Sequence, residues 1–346
     1  MTFCRILLTP LKNEAEIASG YSAKGLKALG GSARIVPRLN FTRSQFIQSL
    51  PQRQQGMSIS GYQPKLQMVL QDCTFSVTDH RGDFILKPSA DEFPHLAENE
   101  HATMTVMARL GFNVPVHGLL PFISDDPRGE PEYAFVIRRF DRDLNGEAIH
   151  QEQLDAAMNI AEKYGKTGND GKQYVSYERI AQFLIQHVNN NVAFKRDLFR
   201  RIVYAYLLGN NDLHLRNFGL LLPPGNHPPL LSPVYDFVSV APYHDYFNAN
   251  YLALPLLIRE EGGHEIAPGF NTAYGQYLGM DFLLLAESIG LNPRLATALL
   301  NGLREESEIV ESTYRSSFMS FEDREATLQC YRQRLNRLQL LNEPPL

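Results

Sequence analysis

Residues 197–240 contain the arrangement that most constrains this chain: an apolar helix, a polar loop and a strand pair, with an oxygen-bearing side chain at each junction. Leu198, Ile202, Ala205 and Leu208 recur at helical spacing, and Gly209 with Asn210 and Asn211 supplies a C-terminal stop. Phe218-Gly-Leu-Leu-Leu222 reads as a strand, and Pro-Pro-Gly-Asn-His-Pro-Pro at 223–229 as a turn. Residues 230–235 return as a second strand that ends on Asp236. This order brings Asp212, Asn217 and Asp236 to one place. A carboxylate beside an amide oxygen suits a hard cation such as Mg²⁺, which takes oxygen ligands in octahedral geometry and keeps waters and phosphates. The bland alternative is that Asp212 caps a turn and Asn217 starts a strand.

Asp, Asn five positions on, and a second Asp after an apolar stretch is also the spacing of kinase active sites, where the first Asp takes the acceptor's proton and the others hold metal. That spacing needs a phosphate loop and a strand lysine upstream, and both are legible. Gly56-Met-Ser-Ile-Ser-Gly61 precedes Tyr62-Gln-Pro-Lys65, followed by Leu66, Met68 and Leu70 in alternation. Turns at Asp72 and at residues 79–82 then separate Phe75-Ser-Val-Thr from Asp83-Phe-Ile-Leu-Lys87. Three antiparallel strands are predicted, with Lys87 near the end of the third and in reach of phosphate. The loop lacks G-x-G-x-x-G, and a Gly/Ser turn before a strand is by itself commonplace. Ala102, Val106 and Leu110 mark a helix stopped by Gly111, which offers Glu98 or Glu100 as a partner for Lys87; an exposed carboxylate in a first helical turn is an equal alternative for either. Residues 133–142 read as a strand leaving one lobe through a charged hinge, where an adenine can lie on the backbone of Arg138, Arg139 and Phe140.

These motifs resemble the HipA-type serine/threonine kinase toxins of bacterial toxin–antitoxin systems, over essentially the whole chain. The resemblance rests on Ser-Ile-Ser-Gly-Tyr-Gln-Pro-Lys65, Ile-Leu-Lys-Pro88, Glu-Asn-Glu100, Arg-Phe-Asp-Arg142, residues 209–217 and Tyr-Asp-Phe237. The phosphate loop and the tract Tyr164-Gly-Lys-Thr-Gly-Asn-Asp170 look closest to HipT, the toxin of three-component HipBST systems. The resemblance implies an α+β, two-lobed, protein-kinase-like fold. Residues 1–140 would form a mixed, β-rich N-lobe with phosphate loop, strand lysine and hinge, and residues 141–346 a mainly helical C-lobe. It implies ATP and Mg²⁺ as cofactors and Asp212 as proton acceptor. Ser60, Gly61, Tyr62, Gln63, Pro64, Lys65, Lys87, Arg138, Arg139, Phe140, His214, Asn217, Tyr235 and Asp236 would bind ATP, with metal on Asn217 and Asp236. Ser58 occupies the family's autophosphorylated position, and Ser60 makes the double-serine version.

Two departures matter. The chain is shorter ahead of the phosphate loop than the longer toxins, so the implied partners include a small HipS-like antitoxin resembling the missing subdomain. A HipB-like helix-turn-helix protein would supply DNA contact indirectly, and an aminoacyl-tRNA synthetase, tryptophanyl in HipT-like systems, is the implied substrate. At the hinge, Arg138 stands where the longer toxins carry an acidic residue. A lipid or small-molecule kinase, or a non-catalytic pseudokinase module of a repressor complex, are the competing classes. The complete catalytic set argues against the pseudokinase, and the double serine against a lipid kinase.

Composition fits a cytoplasmic enzyme. A chain of 346 residues is long enough for two cores, and a net charge of −5 gives no footprint for unaided nucleic-acid binding. Residues 1–10 are too short and strand-like for a signal peptide, and no apolar run reaches membrane-spanning length. Three scattered cysteines without a C-x-x-C favour neither disulfide nor zinc. Lys195, Arg196, Arg200 and Arg201 read as a solvated helix face, residues 163–172 as a mobile polar loop, and the aromatics of 238–251 as packing. Helices are expected at 282–290, 293–304, 306–318 and 327–340.

Overall fold

A computed structural model describes residues 2–53, 65–124, 131–143, 146–166, 170–225, 227–244 and 252–342. Ser58, Ser60, Gly61, Tyr62, Gln63 and Pro64 lie outside them, as do Tyr246, Phe247 and Tyr251. The chain divides into two compact units, Met1–Ala148 with Ser312–Ser320, and Ile149–Glu311 with Phe321–Leu346.

The first unit is built on a five-stranded antiparallel sheet in the order β2-β1-β3-β5-β4. Its strands are β1 (Leu66–Gln71), β2 (Thr74–Val77), β3 (Phe84–Pro88), β4 (His117–Pro121) and β5 (Tyr133–Arg138). The three strands predicted around Lys87 are therefore present, and Lys87 is the penultimate residue of β3, opposite Phe135. Asp72 and Cys73 turn β1 into β2 with φ of 47° and 63°. Ahead of the sheet, residues 2–10 form no strand; an isolated bridge joins Phe3 to Pro10. Three helices follow, α1 (Glu14–Ser19), α2 (Ala23–Gly30) and α3 (Arg43–Arg53). Asn13 and Ser22 cap the first two by accepting from Glu16 and Gly25 N–H. Leu26, Leu29, Ile35, Leu39 and Phe46 join the core beneath β1 and β2, where Phe75 meets Phe84 edge-on at 5.3 Å.

The helix α4 (Leu96–Arg109) is unusual in composition for its surroundings. It is buried from Ala97 to Met107, although Glu98, Asn99, Glu100, His101, Thr103 and Thr105 lie in that span. Burial of so many polar groups is tolerable only if they are bonded. Ser89 Oγ accepts from Ala97 N–H at 3.0 Å, His101 Nε2 lies 3.2 Å from Ile6 O, and Thr105 Oγ1 donates to His101 O at 2.7 Å. Thr103 Oγ1 lies 3.0 Å from Tyr314 Oη, and Arg109 donates to Thr313 at 2.8 Å, so the 312–320 segment completes this side of the unit.

The second unit carries a three-stranded sheet, β6 (His150–Gln153), β7 (Gly219–Leu222) and β8 (Leu230–Leu231), in that order. β6 is absent from the sequence reading, because His-Gln-Glu-Gln shows no apolar alternation. The predicted return strand over 230–235 shortens to two residues; Pro233 has no N–H to give a ladder. Around the sheet lie α5 (Leu154–Ala157), α6 (Tyr177–His187), α7 (Val192–Leu207), α8 (Gly279–Ser288), α9 (Pro293–Arg315) and α10 (Phe321–Leu338). The helices expected at 293–304 and 306–318 are one continuous α9, since Arg304-Glu-Glu306 are good helix formers with no breaker among them. The basic cluster on α7 is only partly a solvated face. Arg201 is buried, with Nε 2.7 Å from Asp197 Oδ2 and Nη1 donating to Ser232 O at 3.0 Å, and Arg200 pairs with Glu306 at 2.7 Å. Among the described residues the cysteines are free, and no helix is long and apolar enough to cross a membrane.

His101 and His117 are packed edge to face at 5.6 Å inside the first unit. Burial, with Arg109 and each other as neighbours, lowers His101 to about 3 and burial lowers His117 to about 4. The unfolded chain protonates the same imidazoles near pH ~6.5, so it binds protons that the folded unit refuses. The stability they carry is complete above that pH and is lost as pH falls towards the folded values, by about 1.4 kcal/mol per histidine per pH unit. Amide-exchange protection of β3, β4 and β5, corrected for intrinsic rates, should therefore drop steeply between pH 7 and 5; a flat profile would contradict this.

Candidate active site

In the first unit, Lys87 and Glu100 form a buried ion pair. Lys87 Nζ lies 2.7 Å from Glu100 Oε1, with the two side chains 10% and 1% exposed. The pair follows from local construction: Ser89, two residues past Lys87, binds the first turn of α4 and sets Glu100 one turn further along. The ammonium also sits 5.7 Å from the centroid of Phe135, its cross-strand partner, within cation–π range. Glu98 is buried one helical position pair away on the same helix. A buried ion pair of this kind is poor evidence of stability, because desolvation offsets its Coulomb attraction; it is better evidence of a cation held for use.

At the expected hinge, Arg138 N–H donates to Val116 O and Arg139 N–H to Asp83 O, each at 2.8 Å. Arg139 Nη2 pairs with Asp141 Oδ2 at 2.5 Å while Nη1 reaches Gln67 Oε1 at 2.9 Å. The Arg139 side chain thus ties β5 to β1, and Phe140 follows it into the segment leaving the sheet. Lys65 is half-buried at the head of β1.

In the second unit, α7 ends at Leu207, and Gly209 at φ 72° turns the chain out of the helix. Gly209 N–H and Asn210 N–H return to Tyr206 O and Ala205 O at 3.1 and 2.8 Å, as a glycine stop requires. A Cβ on Gly209 would also crowd Ser239 Oγ at 3.2 Å and Cys330 Sγ at 3.3 Å. Gly209 O accepts from Val240 N–H at 2.8 Å, tying the start of this loop to the segment after Asp236.

The loop from Asp212 to Asn217 is irregular, with one 3₁₀ turn at Leu215–Asn217, so its carbonyls need outside donors. Tyr177 Oη donates to Leu213 O at 2.7 Å and Tyr235 Oη to Arg216 O at 2.8 Å. Burial pushes both phenols up, which keeps them protonated donors. Arg216 Nε pairs with Asp155 Oδ2 at 2.7 Å, and Gln151 Nε2 donates to Tyr235 Oη at 3.3 Å. Asp212 accepts from Tyr164 Oη at 2.5 Å through Oδ1, and its carboxylate is 37% exposed. His214 Nε2 is 3.7 Å from that same oxygen; burial lowers its pKa, which favours a neutral imidazole.

Asn217 and Asp236 meet as the sequence reading expected. Asn217 Nδ2 donates to Asp236 O at 3.2 Å, which turns its amide oxygen away. That Oδ1 is buried and accepts no hydrogen bond from any described residue. An orphaned amide oxygen on the side chain that bonds the main chain of Asp236 is a hard donor of the kind Mg²⁺ takes, and the half-buried Asp236 would supply a carboxylate as its companion ligand. No cluster of three or more His, Cys, Asp or Glu able to hold a metal occurs among the described residues, so the remaining ligands would have to be phosphates and waters. Asp236 sits at φ 52°, a left-handed conformation that Asp tolerates better than most residues. Sequence reading missed Tyr164, Tyr177, Gln151 and Asp155 as parts of this site. The apolar and polar patterns around them carry no sign of it; Tyr164 was visible only as the first residue of a polar tract.

The HipA-like C-terminal domain family matches residues 57–310. A Haemophilus influenzae protein named "Putative kinase" is 54% identical over 347 residues, covering all of both chains. The serine/threonine-protein kinase toxin HipA of Shewanella oneidensis is 29% identical over 203 residues, 55% of this chain and 45% of that protein. Among solved structures, HipA in the Shewanella oneidensis complex of HipA, HipB and operator DNA superposes with a TM-score of 0.64 at 21% identity, covering 99% of this chain and 88% of that one. The Helicobacter pylori proinflammatory kinase CtkA gives a TM-score of 0.50 at 16% identity over 83% of this chain and 92% of that one. The α+β, kinase-like fold read from the motifs is thus the fold of these neighbours, and the chain belongs to the HipA-like family of serine/threonine kinases.

Proposed function

We propose that this chain is the kinase toxin of a bacterial toxin–antitoxin system and transfers the γ-phosphate of ATP to a serine of an aminoacyl-tRNA synthetase, tryptophanyl-tRNA synthetase first among them. The observation that carries the reading is the bond from the Asn217 amide to the main-chain carbonyl of Asp236, which leaves the buried Asn217 amide oxygen without a described donor and brings that residue against Asp236. Asp212 accepts the proton of the acceptor hydroxyl as its oxygen bonds to the γ-phosphorus. The bond from that phosphorus to the bridging oxygen breaks, and ADP leaves. Lys87, held by Glu100, engages the α/β-phosphates, and Asn217 and Asp236 hold Mg²⁺, which neutralises charge on the transferring group. His214, Tyr235, Lys65 and residues 60–64 line the nucleotide, and the backbone at Arg138, Arg139 and Phe140 receives the adenine. Residues 1–140 act as the nucleotide-gripping lobe and 141–346 as the catalytic one. Blocking synthetase charging halts translation and growth in the cytoplasm.

Regulation is proposed on two levels. Autophosphorylation of Ser58 or Ser60 places nearly two negative charges where the ATP phosphates should lie, which repels nucleotide. A HipS-like antitoxin and a HipB-like DNA-binding protein complete the system, in keeping with HipB in the Shewanella complex. DNA is met only through that complex.

Three outcomes test this. With labelled ATP, Mg²⁺ and tryptophanyl-tRNA synthetase, Asp212→Ala should lower transfer by ~10²–10⁴-fold, the usual worth of a positioned base. Wild-type protein that labels only itself would keep the kinase and reopen the substrate. Glu100→Gln should destabilise the first unit by about 3–5 kcal/mol in chemical denaturation, since it removes the carboxylate charge from a buried ion pair; a neutral result would mean that the pair contributes nothing to the unit's stability. The double variant Ser58→Asp/Ser60→Asp should bind ATP at least ~10-fold more weakly by calorimetry, from like-charge repulsion alone. Unchanged affinity would remove the regulatory role of these serines.

A further inference from the structure

We infer that Tyr164 is a positioning residue for the catalytic base: its phenol holds one oxygen of Asp212 so that the other is presented to the acceptor hydroxyl. This rests on the kinase reading above. Tyr164 Oη donates to Asp212 Oδ1 at 2.5 Å, and His214 Nε2 approaches the same oxygen at 3.7 Å. A carboxylate on a two-torsion side chain that is 37% exposed would otherwise rotate, and rotation costs effective concentration of the base at the acceptor. With Oδ1 occupied on one side, Oδ2 is the oxygen left to take a proton.

The placement of the ring is secured without the hydroxyl. Leu215 N–H donates to Lys163 O at 3.1 Å, Gln173 Nε2 to Tyr164 O at 3.2 Å, and Tyr174 N–H to Gly165 O at 2.8 Å. Gly165 sits at φ 67°, and Lys166 bridges to Gln173 on the antiparallel return. The ring itself stands edge to face with His214 at 5.2 Å and 78°, with Lys163 Nζ 4.7 Å from its centroid. Backbone and ring are therefore held against the loop that carries Asp212 by contacts that do not use the hydroxyl, so the hydroxyl's bond to Asp212 can be removed by itself. The same return holds a matched control: Tyr174 Oη donates to Asp170 Oδ2 at 2.7 Å, a contact remote in kind from the base.

Steady-state transfer from labelled ATP to tryptophanyl-tRNA synthetase, and to casein as a generic acceptor, tests the assignment in four proteins. Tyr164→Phe should lower kcat by roughly 10-fold, the effect of one lost orienting bond to a charged group, with KM for ATP within about twofold of wild type. The melting temperature should stay within about 2 °C, and Tyr174→Phe should match wild type. In an Asp212→Asn background, adding Tyr164→Phe should change the residual rate by less than about twofold, because the two residues act as one unit. An unaltered kcat overturns the assignment. So does a loss that comes with raised KM and lowered melting temperature, that adds fully to Asp212→Asn, or that Tyr174→Phe reproduces. Wild-type protein unable to label either acceptor overturns the kinase reading itself, and the assignment with it.

Discussion

The loop from Asp212 to Asn217 depends on hydroxyl groups borrowed from elsewhere in its unit. Between α7 and β7 the backbone has only one 3₁₀ turn of its own, yet Leu213, Leu215 and Asn217 are buried. Buried carbonyls without partners would cost about 1–3 kcal/mol each, enough to let the loop open. Tyr177 and Tyr235 meet that need from α6 and from the residue before Asp236. Both are tyrosines where a phenylalanine would pack equally well, so the hydroxyl is what distinguishes them. Arg201 extends the same logic: it reaches from the middle of α7 to Ser232, whose own hydroxyl accepts from Gly219 N–H at 3.1 Å. Helix, loop and strands are joined through side-chain-to-backbone bonds, so Asp212, Asn217 and Asp236 keep their spacing without a long regular element to impose it.

The first unit solves a different problem. It must hold a lysine against a carboxylate inside a sheet-and-helix core. Its solution is to place the acid on the most buried helix of the unit and to anchor that helix at the exit of the lysine's own strand, through Ser89. Polar residues accumulate along α4 as a result, and His101, Thr103 and Thr105 are accommodated by bonds to the N-terminal segment, to the 312–320 segment and to β4 respectively. The burial that lowers the pKa of the histidine pair is a by-product of that construction.

Much of this was legible in the sequence because the chemistry-bearing residues are punctuated by turns. The three strands leading to Lys87 are bounded by Asp72 and by residues 79–82, and α7 is bounded by Gly209, so period and stop signal agreed. The ambiguity between Glu98 and Glu100 could not be settled by spacing, since both fall in the first turns of one helix; the ion pair with Glu100 depends on where Ser89 fixes that helix. β6 was invisible because a polar strand has no alternation to read. Tyr164 was invisible for a further reason: its contact with Asp212 spans 48 residues and depends on an antiparallel return whose sequence looks like any polar loop.

Asp236 adds a constraint of another kind. Its left-handed backbone, at φ 52°, admits Asp, Asn or Gly at little cost and penalises almost everything else. Alanine there would remove a carboxylate and strain the main chain together, so a dead alanine variant could not tell lost ligation from a displaced loop. The same restriction applies to drift over generations. A descendant of this chain that gave up phosphoryl transfer but kept its fold, as a scaffold in a repressor for instance, would be expected to carry Asn or Gly at this position, leaving the backbone's shape as a record of the charge it once held.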